Sequence, residues 1–196
     1  MQRLSLSPWT RLVSLAVLLC ALALAVAPGA FAANIWTVDD DFVDDTGCVS
    51  PTFQCKTIET AVGAASAGDT INVAAGTYVL SSVVNVNKDG ITLDGAGAGT
   101  TIVQVSGTGD RFNISAAGVT LQDFEIVKTD KTGEQNIIRI GNSNITIKNN
   151  TIHGQFVIGD GEVSRAMVIN AGAFSGLNIE GNTIYDLRQP AYISGL

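Results

Sequence analysis

The chain has one histidine, three cysteines and only 6% aromatic residues among its 196 residues. Each scarcity excludes something. His153 alone gives no histidine pair for a metal centre, and no nucleophile elbow, phosphate loop or dinucleotide fingerprint occurs. Aromatic platforms for sugar stacking reduce to Trp36, Tyr185 and Tyr192. Positive charge is also short: 11 Lys and Arg against 18 Asp and Glu give a net charge of −7. Nucleic acid and anionic membrane surfaces are therefore poor partners. Acidic polysaccharides suit the chain only with a metal or a local basic patch.

Long apolar runs are confined to the N-terminus. Arg3 and Arg11 flank the start of an apolar run over residues 12–27, and Ala30, Phe31 and Ala32 form a small-residue cleavage site. The pattern predicts a signal peptide over residues 1–32. The run is too short for a membrane span and meets Pro28 and Gly29 at once. Cleavage leaves 196 − 32 = 164 residues, one domain's worth, with a net charge of −7 − 2 = −9 once both arginines are lost. The expected location is secreted or cell-surface.

Residues 33–56 read as an acidic lead-in strand and a cysteine loop. Cys48 and Cys55 are the only cysteines left after cleavage. In an exported chain, a pair seven apart favours a disulfide around Pro51 over a metal site, for which two cysteines are too few ligands. Asp39, Asp40, Asp41, Asp44 and Asp45 fall within seven residues. Such carboxylates suit Ca²⁺ by hardness, and Asp39, Asp40 and Asp41 are the candidate ligands. Their spacing lacks the glycine and distal glutamate of a calcium loop, and a solvated turn is the simpler reading.

Residues 57–196 carry a repeat. A short helix comes first, with Ile58, Ala61, Val62 and Ala65 on one stripe, stopped by Gly68 and Asp69. A strand at residues 70–73 follows. The phrase GITLDG (90–95) then recurs as GVTLQD (118–123), NITIKN (144–149) and GLNIEG (176–181). Their apolar starts are 119 − 91 = 28, 145 − 119 = 26 and 177 − 145 = 32 residues apart. Ile126, Ile152 and Ile184 close the last three phrases. Period-two alternation within repeats of this size predicts an all-β solenoid and excludes helical arrays. The missing leucine framework excludes leucine-rich repeats. β-Branched residues, with Gly and Asn at the corners, favour an all-β parallel β-helix with a short N-terminal capping helix.

Val119 and Leu121, Ile145 and Ile147, and Leu177 and Ile179 then point inward. Asn150 and Asn182 stack at a corner, with Phe124 in the matching place one coil earlier. The Asn-x-Ser/Thr matches at Asn113, Asn144 and Asn149 read as by-products of β-helix composition. The irregular segments 107–110, 129–135 and 155–164 are expected to be loops, where binding usually concentrates.

The segment CKTIETAVGAASAGDTINVAAGTY, followed by GITLDGAGAGTTI, NITIKNNTI and GLNIEGNTI, resembles secreted bacterial right-handed parallel β-helix proteins of the pectin-lyase-like superfamily, which implies the right-handed form of the fold. The resemblance covers residues 35–196. It implies the fold strongly and an activity weakly, since that superfamily holds lyases, hydrolases, epimerases and adhesins. A lyase would need Ca²⁺-binding carboxylates and a basic residue to take the proton α to a uronate carboxyl. Asp123 and Glu180 are the candidate ligands, and Arg139 and Lys148 the candidate bases. A hydrolase would need two opposed carboxylates, for which Asp123 and Glu125, alternating on one strand, are nearest. Alternating charge on an outward column is equally what a solvated face carries. The resulting expectation is an exported β-helix scaffold, cell-surface or carbohydrate-contacting, and non-catalytic as written. The alternative is a polysaccharide lyase or glycoside hydrolase whose site is incomplete in this chain. Residues 192–196 resemble the start of another coil without a polar cap. They suggest a chain truncated from a longer β-helix, or an end that meets further coils or a partner copy.

Overall fold

The computed structural model describes residues 32–131, 133–170, 172 and 175–194. Residues 1–31 of the expected signal peptide, and residues 195 and 196 of the expected next coil, lie outside them. Residues 33–196 form one compact unit. It begins with β1 (Ile35–Val38), β2 (Gln54–Cys55) and the single described helix, α1 (Ile58–Ala64). Five coils of three strands follow. The first is β3 (Thr70–Val73), β4 (Gly76–Val79) and β5 (Val84–Val86). The second is β6 (Thr92–Gly95), β7 (Thr101–Val105) and β8 (Gly109–Ile114). The third is β9 (Thr120–Gln122), β10 (Glu125–Lys128) and β11 (Glu134–Ile140). The fourth is β12 (Thr146–Lys148), β13 (Thr151–His153) and β14 (Val163–Asn170). The fifth is β15 (Asn178–Glu180), β16 (Thr183–Tyr185) and β17 (Gln189–Ser194).

Each strand pairs in parallel with its counterpart one coil away, giving three sheets. The first sheet runs β15-β12-β9-β6-β3-β1-β2, the second β16-β13-β10-β7-β4, and the third β17-β14-β11-β8-β5. This is a parallel β-helix. The lead-in strand β1 is part of it, since Trp36 pairs with Ile71 and Val38 with Val73. The first rung therefore lies one strand earlier than the repeat phrases suggest.

Local chemistry explains the coil. Gly90, Gly118, Asn144 and Gly176 open the four phrases, and all have positive φ, between 58° and 72°. Only Gly and Asn adopt that left-handed turn at low cost. A second corner, after the first-sheet strand, has Asp123, Asn149 and Gly181 at φ 63°, 56° and 64°. Between the corners, alternation buries Ile91, Leu93, Val119, Leu121, Ile145 and Ile147. Ile179 continues that column in register with Ile147 but is 40% exposed in the last described coil.

The asparagine corner forms as expected. Asn150 Nδ2 donates to Leu121 O and to Asn182 Oδ1, both at 3.0 Å, and Asn182 Nδ2 donates to Ile147 O at 2.7 Å. One coil earlier, Phe124 fills the equivalent place, fully buried, and its backbone N–H donates to Asn150 Oδ1 at 3.0 Å. Polar side chains thus satisfy backbone groups at a corner where the ladder bends away.

The helix closes the N-terminal end. Ile58, Ala61 and Val62 are buried. Cys48 and Cys55 form the disulfide. The acidic run does something the sequence reading missed. Asp45 accepts from Lys56 N–H at 2.6 Å, Thr57 N–H at 3.1 Å, Thr57 Oγ1 at 3.0 Å and Thr60 Oγ1 at 3.1 Å. It is an acceptor for the helix N-terminus, where free N–H groups and the dipole favour negative charge. At the other end, Lys88 Nζ donates to Val62 O at 3.2 Å and Gly63 O at 2.6 Å.

Asp69, expected only to help stop the helix, is the hub of this end. It is 1% exposed. It accepts from Asn34 N–H at 2.7 Å, Ser66 N–H at 2.8 Å, Trp36 Nε1–H at 2.9 Å and Asn34 Nδ2 at 3.2 Å. Burial pushes its pKa up, but the bonds from Ser66, Trp36 and Asn34 outweigh burial and hold it below the ordinary aspartate value.

Candidate functional site

A site on a β-helix must be assembled from outward side chains in successive coils, which stack about 4.8 Å apart. The third sheet carries the densest array. Asp110, Asn136 and Arg165 are in register on β8, β11 and β14. Arg139 Nε donates to Asp110 Oδ2 at 2.5 Å, and Asn136 Nδ2 donates to Asp110 Oδ1 at 2.9 Å. Arg139 Nη1 reaches Asn170 Oδ1 at 2.9 Å. Arg165 Nη1 pairs with Glu134, and its Nε donates to Gln189 Oε1 at 2.7 Å. The Arg165 guanidinium also lies 4.8 Å from the centre of the Tyr192 ring, a cation–π distance. A shallow depression runs along this face, lined by Glu134, Asn136, Arg139, Arg165, Val168 and Tyr192.

The second sheet has a smaller cluster. His153 Nε2 lies 3.0 Å from Glu125 Oε1, and the His153 ring stacks on Tyr185 at 4.7 Å between centroids. The lone histidine is a strand residue with a carboxylate partner.

The sequence candidates do not converge. Asp123 sits at the left-handed corner after β9, while Glu125 begins β10. The two do not alternate on one strand, because the chain turns between them, and this corrects the sequence expectation. Lys148 and Glu180 lie on the first sheet in the column Asp94, Gln122, Lys148, Glu180. Arg139 lies on the third sheet. Asp123, Glu125, Arg139 and Lys148 thus occupy a corner and three different faces. Arg139 joins a cluster, but with partners that the sequence reading did not name.

The proposed calcium ligands are dispersed as well. Asp39 Oδ1 accepts from Asp41 N–H at 3.0 Å, while Asp40 Oδ2 accepts from Thr77 N–H at 3.1 Å on β4. Among the described residues no three His, Cys, Asp or Glu side chains gather to hold a metal ion. Trp36 is also withdrawn as a sugar platform, being 4% exposed and set edge-on against Phe53. Tyr185 and Tyr192 remain exposed.

The third-sheet array missed by the sequence reading had a signal: polar residues at equivalent outward positions of β8, β11 and β14. Loops of unequal length between coils hid that equivalence. Chemically the array presents paired charges, amides and a phenol. Both of its carboxylates, Asp110 and Glu134, are engaged by arginines.

Comparison with known proteins finds no match: no family model, no curated protein and no solved structure. The β-helix stands on its own coil geometry. Among the described residues no helix is long and apolar enough to cross a membrane.

Proposed function

We propose that this chain is an exported β-helix scaffold of the pectin-lyase-like kind that contacts extracellular carbohydrate without cleaving it. The observation that carries the reading is the outward array of Asp110, Arg139, Arg165, Gln189 and Tyr192 along the third sheet, braced by Asn136, itself only 6% exposed. Such a row offers amide and guanidinium donors at regular spacing beside an aromatic face, the mix that fixes hydroxyl-rich ligands. Its charges compensate one another, which favours neutral over acidic polysaccharides. Export is supported by the N-terminal sequence pattern and by the Cys48–Cys55 disulfide.

The test is a glycan-array screen followed by calorimetry on the best neutral glycan. Arg165→Ala and Tyr192→Ala should each weaken binding at least tenfold. Binding unaffected by both substitutions would sink the assignment of this face. The enzymatic alternative is read in the same preparation. Ultraviolet absorbance from unsaturated products on a uronate polymer, with or without Ca²⁺, would establish a lyase and displace the scaffold reading.

A further inference from the structure

The interior of the third and fourth coils holds a charged cluster that the outer-face reading does not use. On β10 the alternation places Ile126 and Lys128 inward, and Lys128 is in register with Val105 of the coil before. Lys128 thus takes an inward position that an apolar residue, Val105, holds one coil earlier. Its side chain is 0% exposed. Lys128 Nζ lies 2.6 Å from Asp130 Oδ1, 2.6 Å from Asp130 O and 3.4 Å from Glu162 Oε1.

The two carboxylates are held differently. Asp130 is 28% exposed at its side chain, and its Oδ2 accepts from Gly107 N–H at 2.7 Å. Glu162 arrives from the next coil, just before β14, with its side chain 0% exposed. Neither Glu162 oxygen has a hydrogen-bond partner. The 3.4 Å approach of Lys128 is an ion-pair distance without hydrogen-bond alignment. Gln135 on β11 is also fully buried with both ends of its amide unsatisfied. It is in register with Ser164, two residues beyond Glu162. A buried carboxylate and a buried amide without partners, at one corner, are a costly combination.

We propose that Lys128 and Glu162 join spontaneously in an amide cross-link, with Asp130 as the proton carrier. Asp130 takes a proton from the Lys128 ammonium. The amine then attacks Glu162 Cδ, the N–Cδ bond forms, and one Cδ–O bond breaks. The leaving oxygen departs as water with the two protons lost by Nζ, and Asp130 ends as the carboxylate it began as. Charge balances at one net negative before and after, and no oxidant or co-reactant is needed. Lys128 Nζ stands 3.4 Å from Glu162 Oε1, so the amine is held beside the carboxyl group it attacks, as an intramolecular reaction requires. Exclusion of water opposes the reverse hydrolysis. The product replaces a buried ion pair with a neutral amide. It also closes a loop of 162 − 128 = 34 residues and ties the third coil to the fourth.

The test is the intact mass of the purified folded chain, measured in denaturant. The expected mass is one water below the sequence mass, after allowing for the two hydrogens lost to the Cys48–Cys55 disulfide. Proteolysis should yield a branched peptide linking Lys128 to Glu162. Asp130→Asn, which leaves the buried pair in place, should slow the water loss at least tenfold, and Glu162→Ala should abolish it. Full sequence mass after prolonged incubation of the folded parent would overturn the proposal. So would water loss mapped to Lys128 and Asp130 instead.

Discussion

Asp69→Ala is the most informative single change for the closed end of this β-helix. The substitution removes the acceptor of four donors that hold the N-terminal rung, of which the three shortest are the Trp36 indole, the Asn34 backbone and the Ser66 backbone. The Trp36 bond is buried, and its orphaned N–H should cost about 1–3 kcal/mol. The other two are part-buried and reachable by water, so about 1 kcal/mol each is reasonable. The expected loss is about 3–5 kcal/mol. At about 2–4 °C per kcal/mol for a domain of this size, the midpoint should fall by roughly 6–20 °C. Asp69→Asn keeps one acceptor oxygen and loses the charge, and should cost about 1–2 kcal/mol.

The pH dependence gives a second readout. Asp69 titrates below its ordinary value in the fold. Its contribution is therefore complete above the unfolded aspartate pKa of about 3.9 and is lost as pH falls through the lower folded value. Asp69→Asn should flatten the loss of stability below about pH 4. The assay is urea unfolding of the chain from Ala33 onward, followed by fluorescence. Trp36 is then the sole tryptophan, since the other of the two is Trp9. An Asp69→Ala midpoint within about 0.5 kcal/mol of the parent, with unchanged Trp36 emission, would refute the hub role, since that is the scatter of neutral surface changes.

Other outcomes follow from the same contacts. Asn150→Ala leaves Phe124 N–H and Leu121 O without their partner, and should cost about 2–4 kcal/mol in chemical denaturation; Asn182→Ala, on the more exposed rung, should cost less. Cys48→Ser with Cys55→Ser opens the small loop, at about 2–2.5 kcal/mol by loop-closure entropy, and reductant should produce the same shift in the parent only. Burial above all, with the negative charge of Asp40 adding to it, pushes the Tyr78 hydroxyl up to about 12. Its ionised form is disfavoured in the fold, so stability should fall as pH rises above about 10, and Tyr78→Phe should lessen that alkaline loss in spectroscopic titration. Asp45→Ala strips the acceptor from the N-terminus of α1 and should cost about 1–2 kcal/mol, seen as faster amide exchange confined to that helix.

The repeat phrases contain their own geometry. In GVTLQD, a left-handed Gly118, inward Val119 and Leu121, and a left-handed Asp123 follow from short-range sterics and period-two alternation, and both can be read from the order of residues. The Asn150 to Asn182 ladder was legible for the same reason: two asparagines occupy the same place in similar phrases. The capping helix declared itself through Ile58, Ala61 and Val62. These features depend on neighbours within a few positions.

The remaining features depend on contacts between coils. Asp69 meets Asn34 and Trp36 across more than thirty residues, and nothing local distinguishes it from a turn aspartate. Arg139 could be named from the sequence, but not its alignment with Asp110 and Asn170. That alignment is set by which residues face each other after loops of different length. Asp123 and Glu125 are two apart in the chain and separated by a corner in space. Sequence alone determined the coil, its corners and its inward columns, because those are properties of the backbone's immediate surroundings. The tertiary structure decided which outward and buried polar groups meet, because register between coils depends on loop lengths that the repeat pattern does not encode.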